Sequence, residues 1–240
     1  IASLFARRAP GVQPAPQNAS AATAKSLSEA QAYGILDELG VPHAPAVTMP
    51  IAGPASKLPF DFPVVAKVCS EQILHKTEVG GVVLAIQDQA QLESALATLR
   101  ANLAEHAPNT PCEEVLVQPM TKGLTEVLVG YRVDAEAGPI IMLAAGGIWA
   151  EVARDRSIRL APVSVEVARE MIGEVKALRT VSGLRGKQRG DLEALAKAVS
   201  ALSQLAVKPE LRIAEAEVNP MMVLPEGQGV LAVDALVLKS

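Results

Sequence analysis

The sequence predicts an α+β fold, and three observations carry that expectation. From Glu114 onward strand-like runs dominate. Helical segments flank them without the regular strand–helix alternation that a doubly wound parallel sheet requires. Half of the 240 residues are hydrophobic but only 2% are aromatic, so the core must be assembled from Ala, Val, Leu and Ile. A chain of this length buries one sizeable core or two modest ones.

The elements follow in order. Residues 8–25 are rich in Ala, Pro, Gln and Ser without a periodic apolar face, and residues 1–25 together read as a linker or the tail of a preceding domain. Ser28 to Gln31 form a capping box, and Tyr33, Leu36 and Leu39 continue at helical spacing until Gly40 and Pro42 stop the helix. An extended segment at Ala46–Met49 precedes a strand around Val64–Val68 and a second one ending at Ile86. Asp88 caps a helix whose apolar face is Leu92, Leu96, Leu99 and Leu103, closed by Pro108 and Pro111. Strands are then expected at Val115–Gln118, Thr125–Val133, Pro139–Ala145, Ile148–Ala153 and Arg156–Leu160. Ser164 caps a helix through Met171, Val175 and Leu178, and a basic loop with Arg185, Lys187 and Arg189 leads to a helix over Leu192–Leu205. Two last strands, Arg212–Val218 and Gly229–Leu238, are joined through Asn219-Pro220 and a Pro-Glu-Gly-Gln-Gly turn. The resulting division is residues 26–112 and residues 113–240.

One stretch, Phe62 to Ile86, carries the chemistry. Lys67 is the single charge in an apolar β-branched run, His75 stands in the polar loop that follows, and Gly80-Gly81 precede the next strand. Backbone N–H groups beside a lysine hold phosphate well. A Gly-Gly hairpin between two strands is nevertheless the commoner meaning of such a pair.

Composition excludes several classes. The chain has 22 basic and 26 acidic residues, a net charge of −4 and no dense basic run, which with so few aromatics argues against a nucleic-acid partner. Cys69 and Cys112 offer neither metal-ligand spacing nor a disulfide framework, and a reducing cytoplasm is the simplest context. No apolar run approaches the roughly 20 residues of a membrane span. The chain begins at Ile1 and not at Met, as a piece of a longer polypeptide would.

Five motifs in sequence order then carry a resemblance. They are Val-Val-Ala-Lys-Val with Ile-Leu-His-Lys-Thr-Glu-Val-Gly-Gly-Val, Val-Gln-Pro-Met before Thr-Glu-Val-Leu-Val-Gly, Gly-Gly-Ile-Trp-Ala-Glu-Val, Ile-Arg-Leu-Ala-Pro, and Glu-Ala-Glu-Val-Asn-Pro-Met before Val-Asp-Ala-Leu-Val. Together they resemble the ATP-grasp domain of the NDP-forming acyl-CoA synthetases, which include the ADP-forming acetyl-CoA synthetases and are related to succinyl-CoA synthetase. The likeness spans about residues 26–240. It implies an ATP-grasp fold with two α/β subdomains, 26–112 and 113–240, flanking a nucleotide cleft.

The resemblance also implies roles. Lys67 looks like the lysine that pairs with nucleotide phosphates, and Gly80 and Gly81 would let a loop close over the γ-phosphate. Gln118, Pro119 and Met120 look like the hinge whose backbone meets the adenine edge, with Glu126 an acidic residue near the nucleotide. Asn219 and Asp234 look like Mg²⁺ ligands, an oxygen-donor pair that phosphate and water would complete. His75 matches the histidine that passes a phosphoryl group between ATP or ADP and a second histidine, and Glu217 an acidic residue orienting the phosphohistidine loop. Ala137-Gly138 and Ala144-Ala145 depart from the family's usual Phe-Gly and preceding glycine. CoA would be bound by a partner domain outside this chain, with the CoA-binding and phosphohistidine domains fused upstream or on a separate subunit, in an oligomer of the full protein. Two rivals follow from the same motifs: a non-catalytic nucleotide-sensing domain of a protein-acetyltransferase-like multidomain protein, and a carboxylate–amine ligase. His75 speaks against the first, and the His-Lys-Thr-Glu-Val-Gly-Gly run against the second.

Overall fold

The computed structural model describes residues 25–146, 155–183, 186 and 188–240. The linker expected over residues 8–25 lies outside them apart from Lys25, as do Gly147, the strand expected at 148–153, and Arg185 and Lys187 of the basic loop.

Along the chain run β1 (Lys25–Ser26), α1 (Glu29–Leu39), β2 (Val47–Pro50), β3 (Val64–Cys69), β4 (Val82–Ile86), α2 (Gln89–His106) and β5 (Glu114–Pro119). There follow β6 (Thr125–Asp134), β7 (Gly138–Ala145), β8 (Arg156–Leu160), α3 (Val165–Glu174), α4 (Leu192–Ser203), β9 (Ile213–Val223), β10 (Val230–Ala232) and β11 (Ala235–Lys239). Among the described residues the strands form two antiparallel sheets. A small one has the order β2-β5-β3-β4, and a larger one the order β1-β11-β9-β6-β7-β8, with β10 also paired to β9.

Local signals act as their chemistry dictates. Gln31 N–H donates to the Ser28 hydroxyl while Ser28 N–H donates to Gln31 Oε1, and Gly40 closes α1 at φ 70°. Asp88 accepts from Gln91 N–H at the start of α2. On α2 Leu92, Leu96 and Leu99 are buried, each contributing about 1.5–3 kcal/mol of apolar transfer.

Strand alternation decides the rest. In β3, Val64, Ala66 and Val68 pack with α2, whereas Cys69 packs in the core that holds Ala32, Tyr33 and Leu36 of α1. Successive side chains point to opposite faces, so Lys67 is directed at α1. Likewise Val115 and Val117 of β5 face α2, while Leu116 joins the α1 core and Gln118 shares its parity. The central strands β3 and β5 of the small sheet are therefore buried on both faces.

The division expected at residues 112 and 113 is not where the sheets divide. β5 lies inside the small sheet between β2 and β3, and α1 packs with the large-sheet core. The small-sheet unit runs from Val47 to Pro119, and the cause is register. β5 supplies Cα partners to both β2 and β3, which a chain break at its start would leave unpaired. The expected strand Gly229–Leu238 is two strands, interrupted at Val233 and Asp234. The helix expected through Leu178 ends at Glu174, and a 3₁₀ turn over Lys176–Val181 follows. β9 continues past Asn219 to Val223 because a bulge absorbs the irregularity: Val127 pairs Met221 and Val129 pairs Val218, two residues against three.

Candidate functional site

A cavity of about 320 Å³ opens where the loop after β3 meets the strand ends of the large sheet, with His75, Lys76, Glu217, Asn219, Asp234 and Glu29 on its wall. Each residue is placed by a simple device. Glu217 and Asn219 alternate along β9 on the face away from the helices, whereas Ala216 and Val218 enter the core. Asp234 occupies the break between β10 and β11, and its carbonyl accepts from Asn219 N–H at 3.2 Å. Asn219 Nδ2 donates to Glu217 Oε1 at 3.2 Å. His75 is exposed on a loop anchored by the buried Ile73.

A network of four charges joins this wall to the interior. Lys67 Nζ donates to Glu29 Oε1 at 2.7 Å and also to the carbonyl of Val233. Lys76 Nζ donates to Asp234 Oδ1 at 2.8 Å and sits 3.0 Å from Glu29 Oε2. The Tyr33 hydroxyl is 2.8 Å from Glu29 Oε1 and 3.0 Å from Gln118 Oε1, and its one proton serves either oxygen. Gln118 Nε2 donates to the Val233 carbonyl at 2.8 Å. Two carboxylates thus balance two ammonium groups, and α1, β3, the His75 loop and the β10–β11 break are tied together.

The electrostatics are unequal. Burial pushes the Glu29 carboxyl up, but the ammonium groups of Lys67 and Lys76 overcome it and hold Glu29 below the usual carboxylate range. Burial and the Glu29 charge keep Asp234 above its usual value despite both lysines. Burial works against the charged form of Lys76, yet Glu29 and Asp234 raise it above an ordinary lysine. Burial and Glu29 also push the Tyr33 phenol up.

Of the residues singled out in the sequence, His75, Glu217, Asn219 and Asp234 converge on the cavity. Lys67 does not reach its wall; Glu29 and Val233 enclose its amine, because its strand position turns it toward α1. Gly80 and Gly81 serve the turn. Their N–H groups donate to the carbonyls of Thr77 and Lys76, and a Cβ at Gly81 would lie 2.6 Å from Val68 and 2.9 Å from the Lys76 carbonyl. Both amides are taken up within the turn. The amide of Met120 donates to the Pro63 carbonyl and the Gln118 side chain is spent in the network, so these groups and Pro119 stand off the cavity wall. Glu126 is exposed on β6 opposite Met222, away from the cavity, and its carbonyl accepts from Gly146 N–H.

Sequence reading misses Glu29 and Lys76. Glu29 looks like an ordinary first-turn acid favoured by the helix dipole. Its spacing to Ala32, Tyr33 and Leu36, which are all buried, was the available signal: a charge on an apolar helical face needs a partner.

The two antiparallel sheets meet at a cleft lined by a loop histidine and an Asn–Asp pair, and the family model described as "ATP-grasp domain" matches residues 18–238. The chain belongs to the ATP-grasp domain family. Within it, the chain belongs with the beta subunits of the ADP-forming acetate–CoA ligases. It is 35% identical over 175 residues to the beta subunit of ADP-forming acetate–CoA ligase I of Pyrococcus furiosus, covering 72% of this chain and 74% of that one. It is 39% identical over 171 residues to ADP-forming acetate–CoA ligase I of Archaeoglobus fulgidus, covering 71% of this chain but 24% of the relative. The chain therefore spans about a quarter of that longer ligase.

Among solved structures, the dinucleotide forming acetyl-coenzyme A synthetase 1 of Ca. Korarchaeum cryptofilum in complex with coenzyme A, Ca-AMPCP and HgCl+ superposes with a TM-score of 0.79 at 31% identity, covering 90% of this chain and 94% of that one. The same synthetase with coenzyme A and Mg-AMPPCP, its phosphohistidine segment pointing towards the nucleotide binding site, gives a TM-score of 0.73 at 30% identity, covering 90% and 93%. No described helix is long and apolar enough to cross a membrane.

Proposed function

We propose that this chain is the nucleotide-binding part of an ADP-forming acyl-CoA synthetase, exchanging a phosphoryl group between ATP or ADP and His75. The single observation that carries this reading is the convergence of His75 with Glu217, Asn219 and Asp234 on one cavity between the two sheets. A neutral imidazole nitrogen of His75 would attack the γ-phosphorus. The nitrogen–phosphorus bond forms as the bond to the β–γ bridging oxygen breaks, ADP departs, and the other ring nitrogen keeps its proton. Imidazole suits this step because it is partly neutral near pH 7 and yields a labile phosphoramidate. Exposure of His75 suits transfer to a histidine on a partner domain.

Mg²⁺ fits the donor chemistry only in part. Asp234 and Asn219 offer hard oxygen ligands, while among the described residues no group of three or more His, Cys, Asp or Glu could hold a metal alone. That suits a cation completed by phosphate oxygens and water. When bound, it would neutralise charge on the phosphates. Lys67 acts through Glu29 and Val233, orienting the wall from behind.

The partners of this reading are CoA-binding and phosphohistidine domains, fused or separate, which would convert the phosphoryl group to an acyl phosphate and then an acyl-CoA thioester. Incubation of the chain and its partner domains with γ-labelled ATP should give acid-labile protein-bound label, at least tenfold lower in His75→Ala. Equal label in that variant refutes the role of His75. Nucleotide binding with no label in either protein would favour a nucleotide-sensing domain.

A further inference from the structure

Asp234, a proposed cation ligand, already has a cationic partner. Lys76 Nζ is 2.8 Å from Asp234 Oδ1 and 3.0 Å from Glu29 Oε2. The second contact lies off hydrogen-bond alignment, so this buried Glu29 oxygen accepts no hydrogen bond. One ammonium thus bridges two carboxylates, as a small metal cation would. The two lysines differ in freedom: Lys67 is enclosed by Glu29 and the Val233 carbonyl, whereas Lys76 stands on the cavity wall beside His75.

A divalent cation on Asp234 would sit within a few ångströms of that ammonium, and like charges so close repel strongly even at an intermediate dielectric. The two cations therefore exclude one another unless Lys76 finds another anion. Phosphate oxygens supply one, and a lysine on a flexible stem binds phosphate as a mobile point charge.

We infer that Lys76 is the exchangeable cation of the site: it neutralises Asp234 and Glu29 while no nucleotide is bound, and moves to a phosphate when a divalent cation takes its place on Asp234. The phosphate half of this inference rests on the proposed nucleotide site; the exclusion of free metal does not. Its consequence is ordered binding, in which metal alone is refused and metal with nucleotide is accepted. Lys76 is then a ligand of the phosphates, a role that Lys67, closed in behind the wall, cannot take without breaking the buried pair.

The experiment is a Mn²⁺ titration followed by the electron paramagnetic resonance signal of the free ion, without and with ADP. Without nucleotide, Lys76→Met should bind Mn²⁺ roughly tenfold more tightly or better than the parent, since the site changes from two carboxylates and two ammonium groups to two and one. The gain should vanish in the double variant Lys76→Met/Asp234→Asn. Lys76→Arg, which keeps the charge, should refuse Mn²⁺ as the parent does, and Lys76→Gln stands in if Met does not yield folded protein. ADP should tighten Mn²⁺ binding to the parent beyond the loss of free ion that ADP causes in buffer alone. A single variant no tighter than the parent, or a gain that survives Asp234→Asn, overturns the inference. If the nucleotide site were the part in error, ADP would remove no more free Mn²⁺ in the presence of the protein than it does in buffer, while the gain in Lys76→Met persisted.

Discussion

Replacing Glu29 with Gln tests whether the buried network holds the two sheets together. The Glu29 side chain is 0% exposed, and those of Lys67 and Lys76 are 7% and 11% exposed. Gln fills the same volume and keeps an acceptor oxygen, but it leaves two ammonium groups facing Asp234 alone. Neutralising one partner of a buried ion pair costs about 3–5 kcal/mol. In a chain of this size each 1 kcal/mol moves the melting temperature by roughly 2–4 °C. The low end of the first range, about 3 kcal/mol, then predicts a melting temperature lower by roughly 6–12 °C at neutral pH.

The sign with pH follows from linkage. Glu29 is held below its ordinary value of 4.5, so its stabilisation is fully present above that value. It is lost as pH falls through the lower folded value. Differential scanning calorimetry across acid pH should therefore show parent and variant converging below about pH 4.5. A gap under about 2 °C at neutral pH, or one that stays constant with acidification, refutes the assignment of the network's stability to this carboxylate.

Asp234 behaves oppositely. Burial and the Glu29 charge raise the Asp234 carboxyl above its ordinary range, so its ionised form is unfavourable in the folded protein at neutral pH. Asp234→Asn removes that penalty together with the Lys76 ion pair, so it should lower the melting temperature less than Glu29→Gln does by calorimetry while losing Mn²⁺ binding in the presence of ADP. Gly81→Ala brings a methyl to 2.6 Å from Val68 and 2.9 Å from a backbone carbonyl, and overpacking of this kind should cost about 1–3 kcal/mol in a urea titration. Ser28→Ala removes the capping box ahead of Glu29 and should lower the urea midpoint by the equivalent of about 1 kcal/mol.

The site displays a division of labour that proteins often strike between stability and function. Glu29 and Lys67 form the enclosed, stabilising half of the network. Asp234 and Lys76, at the cavity wall, form the half in which burial works against both charges. A carboxylate whose charge is disfavoured in a partly buried wall, next to an amine able to leave it, is poised to accept a different cation. Such locally unfavourable arrangements persist where function requires them.

Much of this protein was written in local sequence. The caps at Ser28 and Asp88, the apolar face of α2 and the β-branched runs of β3 and β6 specify their elements through backbone hydrogen bonding and side-chain periodicity, which depend on near neighbours alone. The four residues His75, Glu217, Asn219 and Asp234 were legible because family motifs carry them. Sheet membership was not, since β5 is a strand whichever sheet takes it, and only its pairing with β2 and β3 decided that it belongs to the small one. Nor could local pattern reveal that Lys67 turns toward α1, or that Glu29, 38 residues earlier, is its partner. Charge pairing across such distances depends on which faces the packed core turns together, and that is settled by tertiary structure.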